Sequence, residues 1–71
     1  MKNFKVLYFD KTLYANSLFL EGQNGQICIL PNHETIFCNG KLLYFLCDSK
    51  KIEIQQEGCV FFENNVLSVF L

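Results

Sequence analysis

The chain has 71 residues, of which 51% are hydrophobic, and its six basic and seven acidic residues give a formal net charge of −1. A chain of this length specifies one small domain that buries only ~60% of its unfolded surface, and its high hydrophobic fraction excludes a disordered protein. The nearly balanced charge excludes the basic field that attracts nucleic acid or anionic lipid over a distance.

Neither a membrane span nor an export signal is expected. The longest apolar runs, such as residues 42–47, hold about six residues, whereas a spanning helix needs ~20. The first ten residues, MKNFKVLYFD, end in a charged residue, and no cleavage site of small residues follows them. The four cysteines are therefore expected to be reduced and to behave as small hydrophobic residues.

The N-terminal half is predicted to form short strands. Its apolar runs are too short for ordinary helices and rich in aromatic and β-branched residues, which is typical of strands. Gly22 and Gly25 mark a turn, and a strand is expected to end at Leu30 because Pro31 cannot donate to a ladder. The predicted strands lie at residues 4–9, 13–20 and 26–30.

The middle of the chain predicts a hairpin followed by a third strand. Asn39-Gly40 suits a type I′ turn, since both positions tolerate positive φ, and it predicts a hairpin over residues 36–47. Residues 50–56 alternate as a half-buried strand does, which directs Ile52 and Ile54 inward. Asp48-Ser49 is expected to join the two elements.

The C-terminal residues predict a last hairpin. Asn64-Asn65 suits the turn between strands at 59–63 and 66–71, because asparagine enters the left-handed region readily. The C-terminal half is then a meander of about four strands. Residues 1–71 are expected to form a single all-β domain, a small antiparallel sandwich or flattened barrel of about seven to ten short strands.

Two segments lack the alternation of apolar and polar residues that is typical of a strand with one solvent-exposed face. Residues 42–46 and 66–71 are apolar at both alternating sets of positions. Twisted strands whose outer positions are shaded by loops would explain this pattern. An outer apolar patch that a second subunit covers would explain it as well.

The cysteines and the only histidine do not predict a metal site or an enzyme. Structural zinc sites bring cysteines in close C-x2-4-C pairs, and Cys28, Cys38, Cys47 and Cys59 form no such pair around His33. A nucleophile formed by Cys28 or Cys38 with His33 would also need oxyanion donors, and no suitable glycine loop accompanies it. No cofactor, metal or catalytic residue is expected.

Two segments nevertheless resemble the epsilon subunit of F-type ATP synthases. The stretch GQNGQICILPNH at residues 22–33 is similar to the family's G-x-x-G-x-x-G-[IV]-x-P-G-H segment. The stretch EGCVFFENNVLSV at residues 57–69 is similar to its G-G-x-x-E-V-x-x-N-x-V-x-V hairpin. The resemblance covers the rest of the chain only loosely.

This resemblance implies the β-sandwich domain of a non-catalytic rotor subunit. Such a subunit belongs to the central stalk of the F1 sector, where it binds the gamma subunit and the c subunits of the membrane rotor ring. It couples proton-driven ring rotation to ATP synthesis. The implied location is peripheral, on the inner face of an energy-transducing membrane, either the bacterial cytoplasmic side or the mitochondrial matrix side.

The resemblance also implies which residues meet the gamma subunit or the ring, and it shows departures at three of them. Cys28 and Asn32 replace family glycines, and Gln26 stands where the family often has an acidic residue, which removes a charge from any ring contact there. Asn32 can keep the turn, because asparagine tolerates the left-handed conformation. The implied interface residues are Asn24, Gln26, Cys28, Pro31, Asn32, His33 and Glu34.

Other family features have no counterpart in the sequence. The segments before Ser17 and after His33 are shorter than in the family, and the chain ends at Leu71, where the family continues into two helices. The inhibitory and nucleotide-sensing roles of those helices are therefore not expected here. The alternative function is a free-standing β-domain that binds a protein or peptide by pairing with an exposed sheet edge.

Overall fold

The computed structural model describes residues 3–71, and these residues form strands and turns without a helix. The all-β prediction is confirmed, and the number of strands falls within the expected range. The seven strands are β1 (Phe4–Tyr8), β2 (Lys11–Ala15), β3 (Ser17–Gly22), β4 (Gly25–Ile29), β5 (Ile36–Cys47), β6 (Lys50–Glu63) and β7 (Val66–Phe70).

All seven strands belong to one mixed sheet that is not closed. Their order is β2-β1-β7-β6-β5-β3-β4, so that β2 and β4 are the edge strands. Every pairing is antiparallel except that of β1 with β7, which is parallel and places the first and last strands side by side. The expectation of purely antiparallel strands is therefore wrong at this one pair.

The two longest strands must bend. Fourteen residues of β6 would extend about 46 Å at ~3.3 Å per residue, but the longest dimension of the molecule is 28 Å. A bulge allows the bend: between Leu42 and Tyr44 of β5, one residue opposes Ile54 and Gln55 of β6, and Gln55 has φ 55°. The sheet consequently folds over itself into a sandwich-like shape.

The concave side of the folded sheet holds the core. Edge-to-face aromatic pairs join Phe4 to Phe62, with ring centroids 5.3 Å apart, and Tyr8 of β1 to Phe45 of β5, at 6.2 Å. In the strand order, β7 and β6 stand between β1 and β5. The contact between Tyr8 and Phe45 therefore shows that β1 lies over β5. The fully buried side chains of largest volume are Phe4, Phe45, Phe62, Leu18, Leu20, Ile29, Leu42, Leu67, Val6 and Val60.

The predicted turn at Asn39-Gly40 is wrong. β5 runs straight through these residues, and Gly40 pairs with Gly58 of β6. A Cβ atom at Gly40 would collide with the backbone oxygen of Glu21, and one at Gly58 would lie 2.6 Å from the oxygen of Phe70. These glycines permit the close approach of neighbouring strands rather than a reversal of the chain.

Other predicted boundaries also move. The predicted strand at 13–20 is divided at Asn16, whose backbone N–H donates to the Leu46 oxygen over 2.7 Å. β6 continues through Glu57-Gly58, so the C-terminal meander has three strands instead of four. The turns at Asp48-Ser49 and Asn64-Asn65 are confirmed, as is the inward direction of Ile52 and Ile54, which pack against the core.

Candidate partner interface

The segment that carries the first resemblance forms a turn, an edge strand and a loop. The turn between β3 and β4 ends at Gly25, whose φ of 119° favours glycine. Along β4 and just past its end, Gln26, Cys28 and Leu30 are exposed, while Ile29 is buried. The strand ends at Ile29, within one residue of the predicted end before Pro31.

The loop after β4 turns tightly at Asn32. The His33 N–H donates to the Leu30 oxygen over 3.2 Å, and Asn32 has φ 65°. The expectation that Asn32 adopts the left-handed conformation in place of glycine is therefore confirmed. Asparagine thus forms a tight turn at the position where the family pattern that this segment resembles has glycine.

A pair of asparagines attaches this loop to the turn between β6 and β7. The Asn32 N–H donates to Asn65 Oδ1 over 2.6 Å, and Asn65 Nδ2 donates to Asn32 Oδ1 over 2.8 Å. The backbone oxygen of Asn65 accepts from the Lys5 N–H at 3.0 Å. Asn65 therefore holds together β1, the last hairpin and the loop, and we call the Asn32–Asn65 pair the asparagine clamp.

His33 packs within the same loop. Its Nδ1 lies 2.8 Å from the Glu34 backbone oxygen, and its half-buried ring contacts the ring of Phe62 edge-on, with centroids 6.1 Å apart. The Phe62 contact shows that His33 helps to fix the loop on the core. Among residues 3–71, no group of three or more His, Cys, Asp or Glu side chains could hold a metal ion.

The implied interface residues divide into two groups. Asn24 and Gln26 lie at the start of β4, whereas Pro31 to Glu34 lie beyond its other end, beside Asn64 and Asn65. The five residues of β4 separate the groups by about 17 Å. Cys28 lies between them on the open edge, so these residues form a line along the edge strand β4 and into the loop beyond it.

The four cysteines are free thiols in different environments. Cys38 and Cys47 pack against the core, as expected of small hydrophobic residues, but Cys28 is exposed because it occupies an outward position on β4. Burial, with a smaller contribution from the nearby Cys59, raises the pKa of the Cys38 thiol above its ordinary value of 9.0. A raised pKa suppresses the thiolate that nucleophilic chemistry requires.

A second candidate surface lies on the convex side of the sheet. One row of paired residues runs across five strands, from Phe37 through Phe61, Ser68 and Leu7 to Thr12. Residues paired in this way point to the same face. We define the outer face as the five large apolar side chains of this row and its neighbouring rows, namely Leu7, Tyr14, Phe37, Phe61 and Phe70.

The outer face is open to solvent. The exposed fractions are 60% for Phe37, 59% for Tyr14 and 55% for Phe70, and Leu7 is also exposed. Phe37 and Phe61 contact each other, with ring centroids 6.4 Å apart. The unusual apolar pattern at 66–71 contributes Phe70 to this face, but the sequence pattern did not reveal that Leu7 and Tyr14, from the opposite end of the chain, complete it.

Residues 42–46 do not belong to the outer face. The Tyr44 ring stacks on Phe19 with centroids 4.8 Å apart, and Lys51 Nζ lies 4.3 Å from its centroid. Neighbouring side chains therefore shade this segment. Shading thus explains the pattern at 42–46, although side chains of β3 and β6 provide it and not loops, and at 66–71 the structure leaves Phe70 exposed.

Comparison with known proteins identifies no relative: no family model matches the chain, and no curated protein is significantly similar to it. Residues 3–71 contain no helix that is long and apolar enough to span a membrane. The function must therefore be inferred from the residues and their geometry.

Proposed function

We propose that the protein is a non-catalytic rotor subunit of an F-type ATP synthase, similar to the β domain of epsilon. In this role it binds the gamma subunit and the rotor ring and helps to couple ring rotation to ATP synthesis. The proposal rests on the exposed outer face. Large apolar side chains in water lower the stability of a small domain unless a partner covers them.

The composition of the outer face supports a protein partner. Protein interfaces are enriched in aromatic residues at their centre and have a polar rim. Here the outer face holds three phenylalanines, a tyrosine and a leucine. In the row of paired residues next to Phe61, Ser68 and Leu7, Val66 pairs with both Glu63 and Lys5. This row places one acidic and one basic residue at the border of the outer face.

The loop beyond β4 supports a second contact. The asparagine clamp and the His33–Phe62 contact hold Pro31 to Glu34 in place before any partner arrives. A loop that is already ordered loses less conformational entropy on binding. The polar groups of this line of residues suit the polar loops of a rotor ring, as the resemblance implies.

Capture from detergent-solubilised membranes tests the proposal. The tagged wild-type chain is expected to recover the gamma subunit and ring subunits in fixed stoichiometry, and Phe37→Ser is expected to reduce that recovery. Glu53→Ser is the control, because its side chain is also exposed, at 52%, and lies eight residues from Phe61 along β6. Recovery of the wild-type chain without gamma or ring subunits would overturn the proposal.

The open edge of β4 favours a second candidate function, a free-standing module that binds an extended peptide. Natural edge strands usually carry a charged residue or proline that blocks pairing. β4 has neither, whereas the other edge strand begins with Lys11. This alternative predicts a monomer independent of membranes, whose peptide binding is weakened by Gln26→Lys but not by Phe37→Ser.

A further inference from the structure

The chain contains two Asn-Gly pairs in opposite structural settings. Asn24-Gly25 ends the exposed turn between β3 and β4, and a Cβ atom at Gly25 would have open space around it. Asn39-Gly40 lies inside β5, in ladder pairing with Cys59 and Gly58 of β6. The same Asn-Gly dipeptide therefore occurs once in a solvent-exposed turn and once within the sheet.

We propose that Asn24 is a site of spontaneous deamidation in the folded protein, and that Asn39 is protected from it. The Gly25 amide nitrogen bonds to Asn24 Cγ, and the side-chain nitrogen leaves as ammonia together with the amide proton. Water then opens the resulting succinimide at either carbonyl. The products are aspartate and isoaspartate, and the only co-reactant is water.

Backbone geometry separates the two sites. Ring closure requires rotation about the Cα–C bond of the asparagine and an accessible amide nitrogen on the next residue. At Gly25 an added Cβ atom would meet no atom within 4 Å, and the residue is exposed at the end of the surface turn. At Gly40 the extended strand holds the bond in place, and the Glu21 backbone closes one side of the glycine.

The reaction changes the charge of a defined surface. A recess at this end of the sheet is lined by residues 22–27 together with Asn39, and none of these residues is charged. Deamidation introduces a carboxylate at the edge of this recess. Isoaspartate additionally lengthens the backbone by one methylene at the turn that sets the register of β3 and β4.

Peptide mapping by mass spectrometry tests the inference. The purified full chain is incubated at mildly alkaline pH, and deamidation of the two Asn-Gly peptides is followed in the same sample. The Asn24 peptide is expected to deamidate faster than the Asn39 peptide by about tenfold or more, because the second site reacts only after local opening of the sheet.

Two controls separate structure from local sequence. In denaturant, where the turn at Asn24 and the strand at Asn39 are both lost, the two peptides are expected to deamidate at rates within about twofold of each other, since the difference arises from the fold. The Gly25→Ala variant is expected to slow the reaction at Asn24 alone. Equal rates in the folded chain, or an intact Asn24 in native conditions beside a reactive Asn24 in denaturant, would overturn the inference.

Discussion

The asparagine clamp shows how single side chains position the loop beyond β4. Asn32, Asn64 and Asn65 all have positive φ, at 65°, 53° and 59°, which costs little for asparagine and more for most other residues. Asn65 uses this conformation to direct its side-chain amide to Asn32, 33 residues earlier in the chain. The same residue type thus forms the turn and holds the loop.

The clamp predicts unequal effects of two adjacent substitutions. Asn65→Gly keeps the left-handed backbone but removes both side-chain hydrogen bonds to Asn32, and should lower the free energy of unfolding by about 1–2 kcal/mol. Asn64→Gly is the matched control, because it changes the same turn without touching these bonds. Urea denaturation measures both variants, and equal losses would show that the clamp adds no stability.

The raised pKa of the Cys38 thiol predicts a pH dependence. The folded state keeps its proton to a higher pH than the unfolded state does, so the free energy of unfolding falls as pH rises above 9.0, the ordinary value. Urea denaturation between neutral and alkaline pH should show a shallower decline for Cys38→Ala than for the wild type. Parallel declines would contradict a contribution from this thiol.

Among the elements, the paired long strands β5 and β6 determine the shape of the sheet. They bend at the bulge beside Gln55, and at Gly40 and Gly58 the neighbouring strands leave no room for a Cβ atom. Glycine weakens a strand by conformational entropy. At these two positions that cost is offset, because a side chain would collide with the backbone of β3 or β7.

Glycine substitutions test this close approach. Gly58→Ala places a Cβ atom 2.6 Å from the Phe70 oxygen, and we expect a destabilisation of about 1–3 kcal/mol. Gly22→Ala is the control, since its Cβ atom would meet first a flexible methyl group, Ile27 Cδ1, at 3.3 Å. Thermal unfolding compares the two variants, and a Gly22 variant that is the less stable one would contradict this explanation.

The two local turn signals show what could be predicted from the sequence. Asn64-Asn65 forms the predicted turn, but Asn39-Gly40 lies within a strand although its local preference is stronger. The difference arises from pairing with Gly58 and contact with Glu21, which local sequence does not reveal. The asparagine clamp and the parallel β1–β7 pairing were unpredictable for the same reason, since both join residues far apart in the chain.

At the scale of the whole molecule, one folded sheet has to provide both a core and a surface. Its concave side buries the core, and its convex side leaves the outer face in water. A 71-residue domain has little stability to spare. Binding to the folded state alone would add stability by mass action, which links the exposed outer face to the proposed assembly.

This link predicts that a partner raises the melting temperature through the outer face. With the purified gamma subunit at ~100 times its dissociation constant, the free energy of unfolding should rise by about 2.7 kcal/mol, or roughly 10–20 °C in Tm for a domain of this size. The double variant Phe37→Ser, Phe70→Ser should lose most of this rise. Its isolated Tm should change little, because both side chains are more than half exposed.

Differential scanning calorimetry of the wild type, the double variant and Glu53→Ser, each alone and with gamma, measures the six melting temperatures. Glu53→Ser serves again as the exposed control and should keep the full rise. If the double variant is stabilised by gamma as much as the wild type is, the outer face does not contact gamma, and the line from Asn24 to Glu34 becomes the surface to test. If gamma stabilises neither chain, the rotor role itself is contradicted, because a subunit that turns with gamma must bind it.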